Sequence, residues 1–289
     1  MSTILYRYLL SKRDLYFNYL LRSAGVLCSL SVFLIFLFLV KESSSVLSGN
    51  SLSMFYENSW FPSEGQFNLV PIIVASVLLS LGAIVIALPL GLFTALFTQF
   101  YLGQTSRIAF RKIIELYTGI PSVIFGFWGL VKLVPLINEY RPPGQSMLAG
   151  ILVLSLMIFP IISLNLISAI EMSSKKVLNV SDALGLSRET YIWKILFPNI
   201  KGHFLSSSLI ALGRALGETM AVLMVCGNIV QIPGSIFDPI RSLTANIALE
   251  MAYATGAHRS ALFLSGLVLF LLTLAMFLIL KSLKVDNDE

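Results

Sequence analysis

Six long stretches of mostly apolar residues constrain this chain more than any other feature of its sequence. They cover residues 23–40, 71–97, 112–136, 147–170, 203–227 and 260–280. A helix that crosses a bilayer needs about 20 such residues, so each stretch is long enough to form one span. Only 12% of the residues are charged, against about 25% in soluble domains, and the mean hydropathy is +0.85. We therefore predict an all-α, polytopic membrane protein with six transmembrane helices.

Basic residues predict how these helices cross the membrane. With the N-terminus in the cytoplasm, fourteen Lys and Arg residues fall in inner connections and five in outer ones. Because inner loops carry an excess of these residues, we expect both termini to be cytoplasmic. A signal peptide at the N-terminus is the rival interpretation, but its apolar region would be unusually long and no cleavage site follows cleanly. Lipid orientation also accounts for the basic pI, so we expect a lipid bilayer and no nucleic acid as partner.

Two charged residues lie inside the fifth apolar stretch. Arg214 and Glu218 are four residues apart, so on a continuous helix both would lie on one face. A charge at the bilayer centre costs roughly 2.5–3.5 kcal/mol on insertion scales, and it is tolerated where it meets partners or lines a polar path. Both a structural ion pair and a path for a charged solute are compatible with this pattern.

Small and polar residues flank the charged pair. Gly213 and Gly217 form a small-xxx-small pattern that lets a second helix approach closely. Thr219 and Asn228 add hydrogen-bonding side chains to the same stretch. If the charged pair lines a substrate path, we predict that these two residues line it as well.

Residues for catalysis or metal binding are not evident in the sequence. Cys28 and Cys226 lie in apolar stretches, and His203 and His258 are isolated, so we expect no disulfide, no metal site and no catalytic residue. A membrane-embedded enzyme would need a nucleophile and a base near mid-membrane. The sequence also lacks a Walker A motif. We therefore expect a chain that is not an enzyme and has no cofactor of its own.

The longest predicted inner connection covers residues 171–201. Its apolar residues predict two short amphipathic helices that meet at Gly185 on the membrane surface, and Pro198 fits the first turn of the next helix. Such a pair is either a plain interfacial element or a docking element for a partner protein. The residues that we assign to docking are Asp182, Ala183, Leu184, Gly185, Leu186 and Pro198.

This connection resembles the loop through which ABC importer permeases dock on their ATPase. The resemblance lies in Gly185, in Pro198 thirteen residues later, and in the apolar Ile195 and Phe197 before that proline. The Glu-Ala-Ala that begins the loop in the family is replaced by Asn-Val-Ser at residues 179–181, and Asp182 is the nearest carboxylate. The resemblance implies the type I ABC importer permease fold.

Three further motifs narrow the resemblance to PstC-type permeases of phosphate importers. They are Gly-Arg-Ala-Leu-Gly-Glu-Thr-Met-Ala-Val at 213–222, Thr-Gly-Ile-Pro-Ser-Val-Ile-Phe-Gly at 118–126 and Arg-Ser-Leu-Thr-Ala-Asn-Ile-Ala at 241–248. The resemblance covers residues 71–280. It divides the chain into an N-terminal segment with the first helix and outer loop (1–64), a permease core (65–284) and an acidic tail (285–289).

The resemblance implies an inorganic phosphate importer in the bacterial inner membrane. Its partners would be a paralogous PstA-type permease, two ATPase subunits that use ATP and Mg, and an extracytoplasmic phosphate-binding protein. The alternatives are an ABC permease for another oxyanion, such as molybdate or sulfate, and an anion transporter that works without an ATPase. Arg241 and Thr244, in the predicted outer loop, belong either to an ordinary solvated loop or to an outer gate.

Overall fold

The computed structural model describes residues 2–47, 60–183 and 186–285, with side chains described within 17–44, 46, 60–173 and 186–279. Its helices are α1 (Ser2–Leu47), α2 (Val70–Phe100), α3 (Gln104–Thr118), α4 (Ser122–Trp128), α5 (Val134–Tyr140), α6 (Met147–Ala183), α7 (Arg188–Tyr191), α8 (Phe197–Gly217), α9 (Met220–Val225), α10 (Leu243–Glu250) and α11 (Gly256–Val285). Single π turns, at Gly129–Leu133 and Ile192–Leu196, join α4 to α5 and α7 to α8. An antiparallel hairpin of β1 (Trp60–Phe61) and β2 (Gln66–Phe67) precedes α2.

Most of the predicted spans are present as helices that are long enough to cross a bilayer. Within the described ranges, five helical segments are long and apolar enough to cross a bilayer: Phe17–Ser44, Val70–Phe100, Ser122–Tyr140, Met147–Ser173 and Gly256–Ile279. The predicted span at 203–227 is divided between α8 and α9. α8 has 21 residues, or about 31 Å of helix, which matches a hydrocarbon core of about 30 Å. The all-α, polytopic prediction is confirmed, and its fifth span is interrupted.

The predicted third span, 112–136, begins too early in the sequence. Residues Gln104–Thr118 form the separate helix α3, and the next helix starts at Ser122, directly after Pro121. Proline disfavours helical backbone in the residue before it, so the helix ends before this point instead of bending through it. By contrast, Pro89 and Pro160 lie inside α2 and α6.

Close packing of α2 against α6 forms the centre of the main core. Small, fully buried residues recur on one face of α2, at Ala75, Ala83, Ala87 and Ala95. Gly91 continues this face, and a Cβ atom there would lie 2.6 Å from Cγ2 of Ile162 on α6. The small side chains let the two helices approach closely and bury a large apolar surface between them.

The N-terminal helix α1 lies at the periphery of the bundle. It packs mainly against α11, where Phe36 and Phe270 have ring centroids 5.5 Å apart and Phe38 and Phe263 5.4 Å apart. Most of its other described side chains are exposed. The permease core is therefore built by the later helices, and the predicted boundary at residue 64 stays a prediction.

Candidate functional site: a broken membrane helix

The predicted fifth helix breaks at the charged motif. α8 ends at Gly217, and Glu218 has extended backbone with φ −71° and ψ 129°. α9 begins at Met220, after Thr219. The expectation of one continuous helix with Arg214 and Glu218 on a single face is therefore wrong.

Glu218 binds the start of α9 instead of the arginine. Its Oε1 accepts a hydrogen bond from the backbone N–H of Ala221 at 3.2 Å. This carboxylate satisfies one of the N–H groups that the first turn of a helix leaves without a partner. The side chain is half-buried, and it makes no ion pair with Arg214 among the residues that the structure describes.

Arg214 lies in the last turn of α8, and its side chain is exposed. Among the described side chains, no acceptor lies within hydrogen-bonding distance of its guanidinium. Gly217, one turn later, has open space where a Cβ atom would be, whereas a Cβ atom at Gly213 would lie 3.9 Å from Cε2 of Phe277 on α11. Arg214 therefore faces a surface that this chain leaves uncovered, and Gly217 leaves room beside it.

The two polar residues predicted to line the path differ in their surroundings. Thr219 is half-buried, and its Oγ1 lies 3.4 Å from the carbonyl oxygen of Gly217. Asn228 has a left-handed backbone, with φ 57°, which Asn adopts more readily than most residues. Its Nδ2 donates to the carbonyl of Leu223 at 2.7 Å, so this side chain closes the turn after α9. A role of either residue in a substrate path stays a prediction.

The segment around Arg241 and Thr244 is not the solvated loop that was one of its two interpretations. Residues 242–246 are buried and include the first turn of α10. Ser242 caps this helix by accepting from the N–H of Ala245 at 3.1 Å, and Oγ of Ser76 on α2 accepts from the N–H of Leu243 at 2.8 Å. The Thr244 hydroxyl donates to the carbonyl oxygen of Glu218 at 2.8 Å. The segment thus packs directly onto the helix break.

Glu250, which the sequence analysis did not single out, is the centre of a buried polar cluster. Its Oε1 lies 2.6 Å from Nη1 of Arg241, and its Oε2 accepts from Nε1 of Trp60 at 2.9 Å. Nε2 of His258 lies 2.8 Å from the same Oε2. This carboxylate therefore joins the hairpin, the segment before α10, α10 itself and the start of α11. The cluster also borders a cleft of about 570 Å³ beside the hairpin.

Arg241 connects this cluster to the turn after α9. Its Nη1 also donates to Oδ1 of Asn246 at 3.1 Å, and its Nε donates to the carbonyl of Asn228 at 2.9 Å. A guanidinium suits this position because its planar fork donates in several directions at once. Sequence spacing alone pointed to none of these contacts, although a lone carboxylate at the end of an apolar run, with Arg and His nearby, was a signal.

The predicted docking region is helical up to Ala183, where α6 ends, and again from Arg188. The described helices lie on either side of Gly185 in the sequence, but the first is continuous with the fourth span and is not a short separate helix. Leu184 and Gly185 lie outside the described residues, and Asp182 and Ala183 are described by their backbone alone. The remaining two docking residues are Leu186, which is half-buried between these helices, and Pro198, which is in the first turn of α8 as predicted.

A polar cluster anchors the same end of α6. Oε2 of Glu171 lies 2.8 Å from Nη1 of Arg111 on α3, and its Oε1 accepts from Nε2 of Gln99 at 2.9 Å. Arg111 also pairs with Glu115 at 3.1 Å. Burial opposes the charge of Arg111, but its hydrogen bonds with Glu115 and Glu171 raise its pKa above the ordinary value. This cluster holds α2, α3 and α6 together before the docking region begins.

Comparison with known proteins finds a matching family and several similar permeases. Residues 87–284 match the family described as "Binding-protein-dependent transport system inner membrane component". The chain is 31% identical to the phosphate transport system permease protein PstC of Xylella fastidiosa, over 96% of this chain and 93% of the relative. It is 34% identical to the probable ABC transporter permease protein YqgH of Bacillus subtilis, over 78% of this chain and 75% of that one.

A solved structure shows the same fold. A chain of the MetNI methionine ABC transporter, in an inward-facing conformation, superposes with a TM-score of 0.56 at 17% identity. The match covers 75% of this chain and 93% of that chain. At this identity the likeness concerns the fold alone.

Proposed function

The chain belongs to the family of binding-protein-dependent transport system inner membrane components, and we propose that it is the permease subunit of an ATP-driven importer of inorganic phosphate. Relatives named as phosphate permeases, about 30% identical over nearly the whole chain, support this substrate. The structural observation that carries the proposal is the exposed guanidinium of Arg214 at the interrupted end of a membrane helix.

Phosphate needs such a group because it is strongly hydrated and carries one to two negative charges. An arginine stays charged at every physiological pH, and its planar fork donates two parallel hydrogen bonds to phosphate oxygens. Arg214 is available for this task because the carboxylate of Glu218 is engaged with the backbone of α9. Glu218 nearby limits how tightly an anion is held, which favours release.

The uncovered surface beside Arg214 is the side on which we place the second permease. Gly217 offers space for close approach of another helix, and a paralogous subunit there would complete the path between the two chains. Thr219 and Asn228 would line this path, and Arg241 and Thr244 would form part of its outer gate. Arg241 and Thr244 are largely buried, which supports a gate whose side chains are fixed by the residues packed around them.

Energy would come from two ATPase subunits that bind ATP and Mg on the cytoplasmic side. The region from Asp182 to Leu186, together with Pro198, would dock on them, and an extracytoplasmic phosphate-binding protein would deliver the anion. This arrangement requires both termini of the chain in the cytoplasm of a bacterial cell. The Glu171 cluster supports the arrangement, because it fastens the docking end of α6 to α2 and α3.

Reconstitution of the assembled complex tests this function. The chain is purified with its paralogous permease, ATPase and binding protein and placed in vesicles with ATP inside the compartment that holds the ATPase. We expect phosphate to stimulate ATP hydrolysis and to accumulate, while sulfate and molybdate do neither. Stimulation by sulfate or molybdate instead of phosphate would contradict the substrate, and uptake without an ATPase would contradict the energy source.

A further inference from the structure

The break between α8 and α9 needs a partner for its free backbone groups. Water is scarce at membrane depth, so a carbonyl released from a helix there must be satisfied by the protein itself. The carbonyl of Glu218 is satisfied by the hydroxyl of Thr244, at 2.8 Å. We infer that Thr244 is a positioning residue for Glu218: it fixes the helix break so that the Glu218 carboxylate stays on α9 and leaves Arg214 free for an anion. This inference rests on the proposed role of Arg214.

Thr244 is held rigidly enough to act in this way. Its own proton is used toward Glu218, so the Ser242 hydroxyl, 3.0 Å away, donates to Oγ1 of Thr244. Ser242 in turn accepts from the N–H of Ala245. The three groups form a chain in which each hydrogen bond polarises and strengthens the next.

The helix that carries Thr244 is fastened at both ends. At its first turn, the N–H of Leu243 donates to Oγ of Ser76 on α2. At its last residue, Glu250 is held by Arg241, Trp60 and His258. Thr244 itself is only 8% exposed. The hydroxyl is therefore presented from a fixed helix and not from a mobile loop.

Glu218 is consequently held from two sides. Its carbonyl is bound to α10 through Thr244, and its carboxylate is bound to α9 through Ala221. Loss of the first contact would let residues 217–219 re-form helix between α8 and α9. Glu218 would then come onto the same face as Arg214, four residues before it, and the two charges would pair. Such pairing would neutralise the cation that the anion needs.

Variants of Thr244 test the inference in the assembled complex. Thr244→Val keeps the shape of the side chain but removes the hydroxyl, and Thr244→Ser keeps the hydroxyl. The matched control is Thr94→Val, because Thr94 donates to the carbonyl of Leu90 on an exposed part of α2. Maximal phosphate uptake should fall at least about fivefold with Thr244→Val, the factor expected for one net hydrogen bond. Thr244→Ser and Thr94→Val should stay close to the unmodified protein.

A second variant shows whether the effect acts through Glu218. In a Glu218→Gln background, Thr244→Val should cause little further loss, because a neutral side chain cannot neutralise Arg214. Hydrogen exchange of the peptide covering residues 218–223 gives a readout that does not depend on transport. The rate of amide exchange in this peptide should change in Thr244→Val and remain unchanged in Thr244→Ser and Thr94→Val.

Two results would overturn the inference. One is a Thr244→Val protein with unaltered uptake and unaltered exchange. The other is Thr244→Ser as defective as Thr244→Val, which would show that the hydroxyl alone does not sustain uptake. Failure of the proposed function looks different. The unmodified complex would transport no phosphate, while hydrogen exchange would still report on the contact between Thr244 and Glu218.

Discussion

Glu250→Gln is the substitution whose effect on folding follows most directly from the structure. The carboxylate accepts from Arg241 with one oxygen and contacts Trp60 and His258 with the other, at 2.6, 2.9 and 2.8 Å. Glutamine retains one oxygen and places an NH₂ group in the second position. Whichever way the amide turns, at least one donor faces another donor, and the buried charge of Arg241 loses its counter-charge.

Removal of one partner from a buried charge pair costs about 3–5 kcal/mol, and Glu250 is only 7% exposed. We therefore expect the free energy of unfolding to fall by about this amount. Equilibrium unfolding of the purified chain in mixed detergent micelles measures it. Glu139→Gln is the matched control, because Glu139 is exposed at the end of α5 and should tolerate the change.

A double variant separates the loss of charge from the change of shape at this cluster. Arg241→Met in the Glu250→Gln background removes the unpaired cation, so part of the lost stability should return. Recovery should be incomplete, since Arg241 also donates to Asn228 and Asn246. A loss below about 1 kcal/mol for Glu250→Gln alone would refute the reasoning, because that is the range of exposed ion pairs.

Two further predictions concern packing and topology. Gly91→Ala should destabilise the chain by about 1–3 kcal/mol, because its Cβ would lie 2.6 Å from Ile162, whereas Gly25→Ala, inside α1, should not destabilise it because nothing lies within 4 Å; equal unfolding free energies for the two variants would contradict the α2–α6 packing. A cysteine at the exposed Tyr140 should react with an impermeant maleimide from outside, and one at the exposed Glu189 only after access to the cytoplasm is given; the reverse labelling would invert the proposed orientation.

The sequence predicted those features that depend on composition and local backbone chemistry. Apolar length located most of the spans, since the bilayer imposes this length on any helix that crosses it. Pro198 was correctly placed in the first turn of α8, where its missing N–H costs nothing. The predicted third span ran through Pro121, although the effect of this proline on the preceding residue favours an interruption there.

The helix break at Glu218 could not be predicted from its neighbours. Gly217 is only a weak signal, because single glycines are tolerated inside helices, and the charge pattern of the segment suits a continuous helix. What stabilises the break is the hydroxyl of Thr244, 26 positions later in the chain. Tertiary contacts of this kind override local preference and leave no periodic signal in the sequence.

The Glu250 cluster was missed for a related reason. Trp60 is 190 positions away from Glu250, and Arg241 and His258 are nine and eight positions away. None of these separations places two side chains together within one helix. The sequence therefore showed an isolated histidine and a loop arginine, and only the fold brings them onto one carboxylate.

Phosphate uptake by Arg214→Lys tests the central claim most directly. Lysine keeps the positive charge but loses the planar fork, so one charge-assisted hydrogen bond to the anion is lost, worth roughly 1.5–3 kcal/mol. In vesicles containing the assembled complex, we predict a fall in uptake of about tenfold or more, while Arg22→Lys on the peripheral helix α1 leaves uptake unchanged. Uptake by Arg214→Lys equal to that of the unmodified protein would contradict capture of phosphate by this guanidinium.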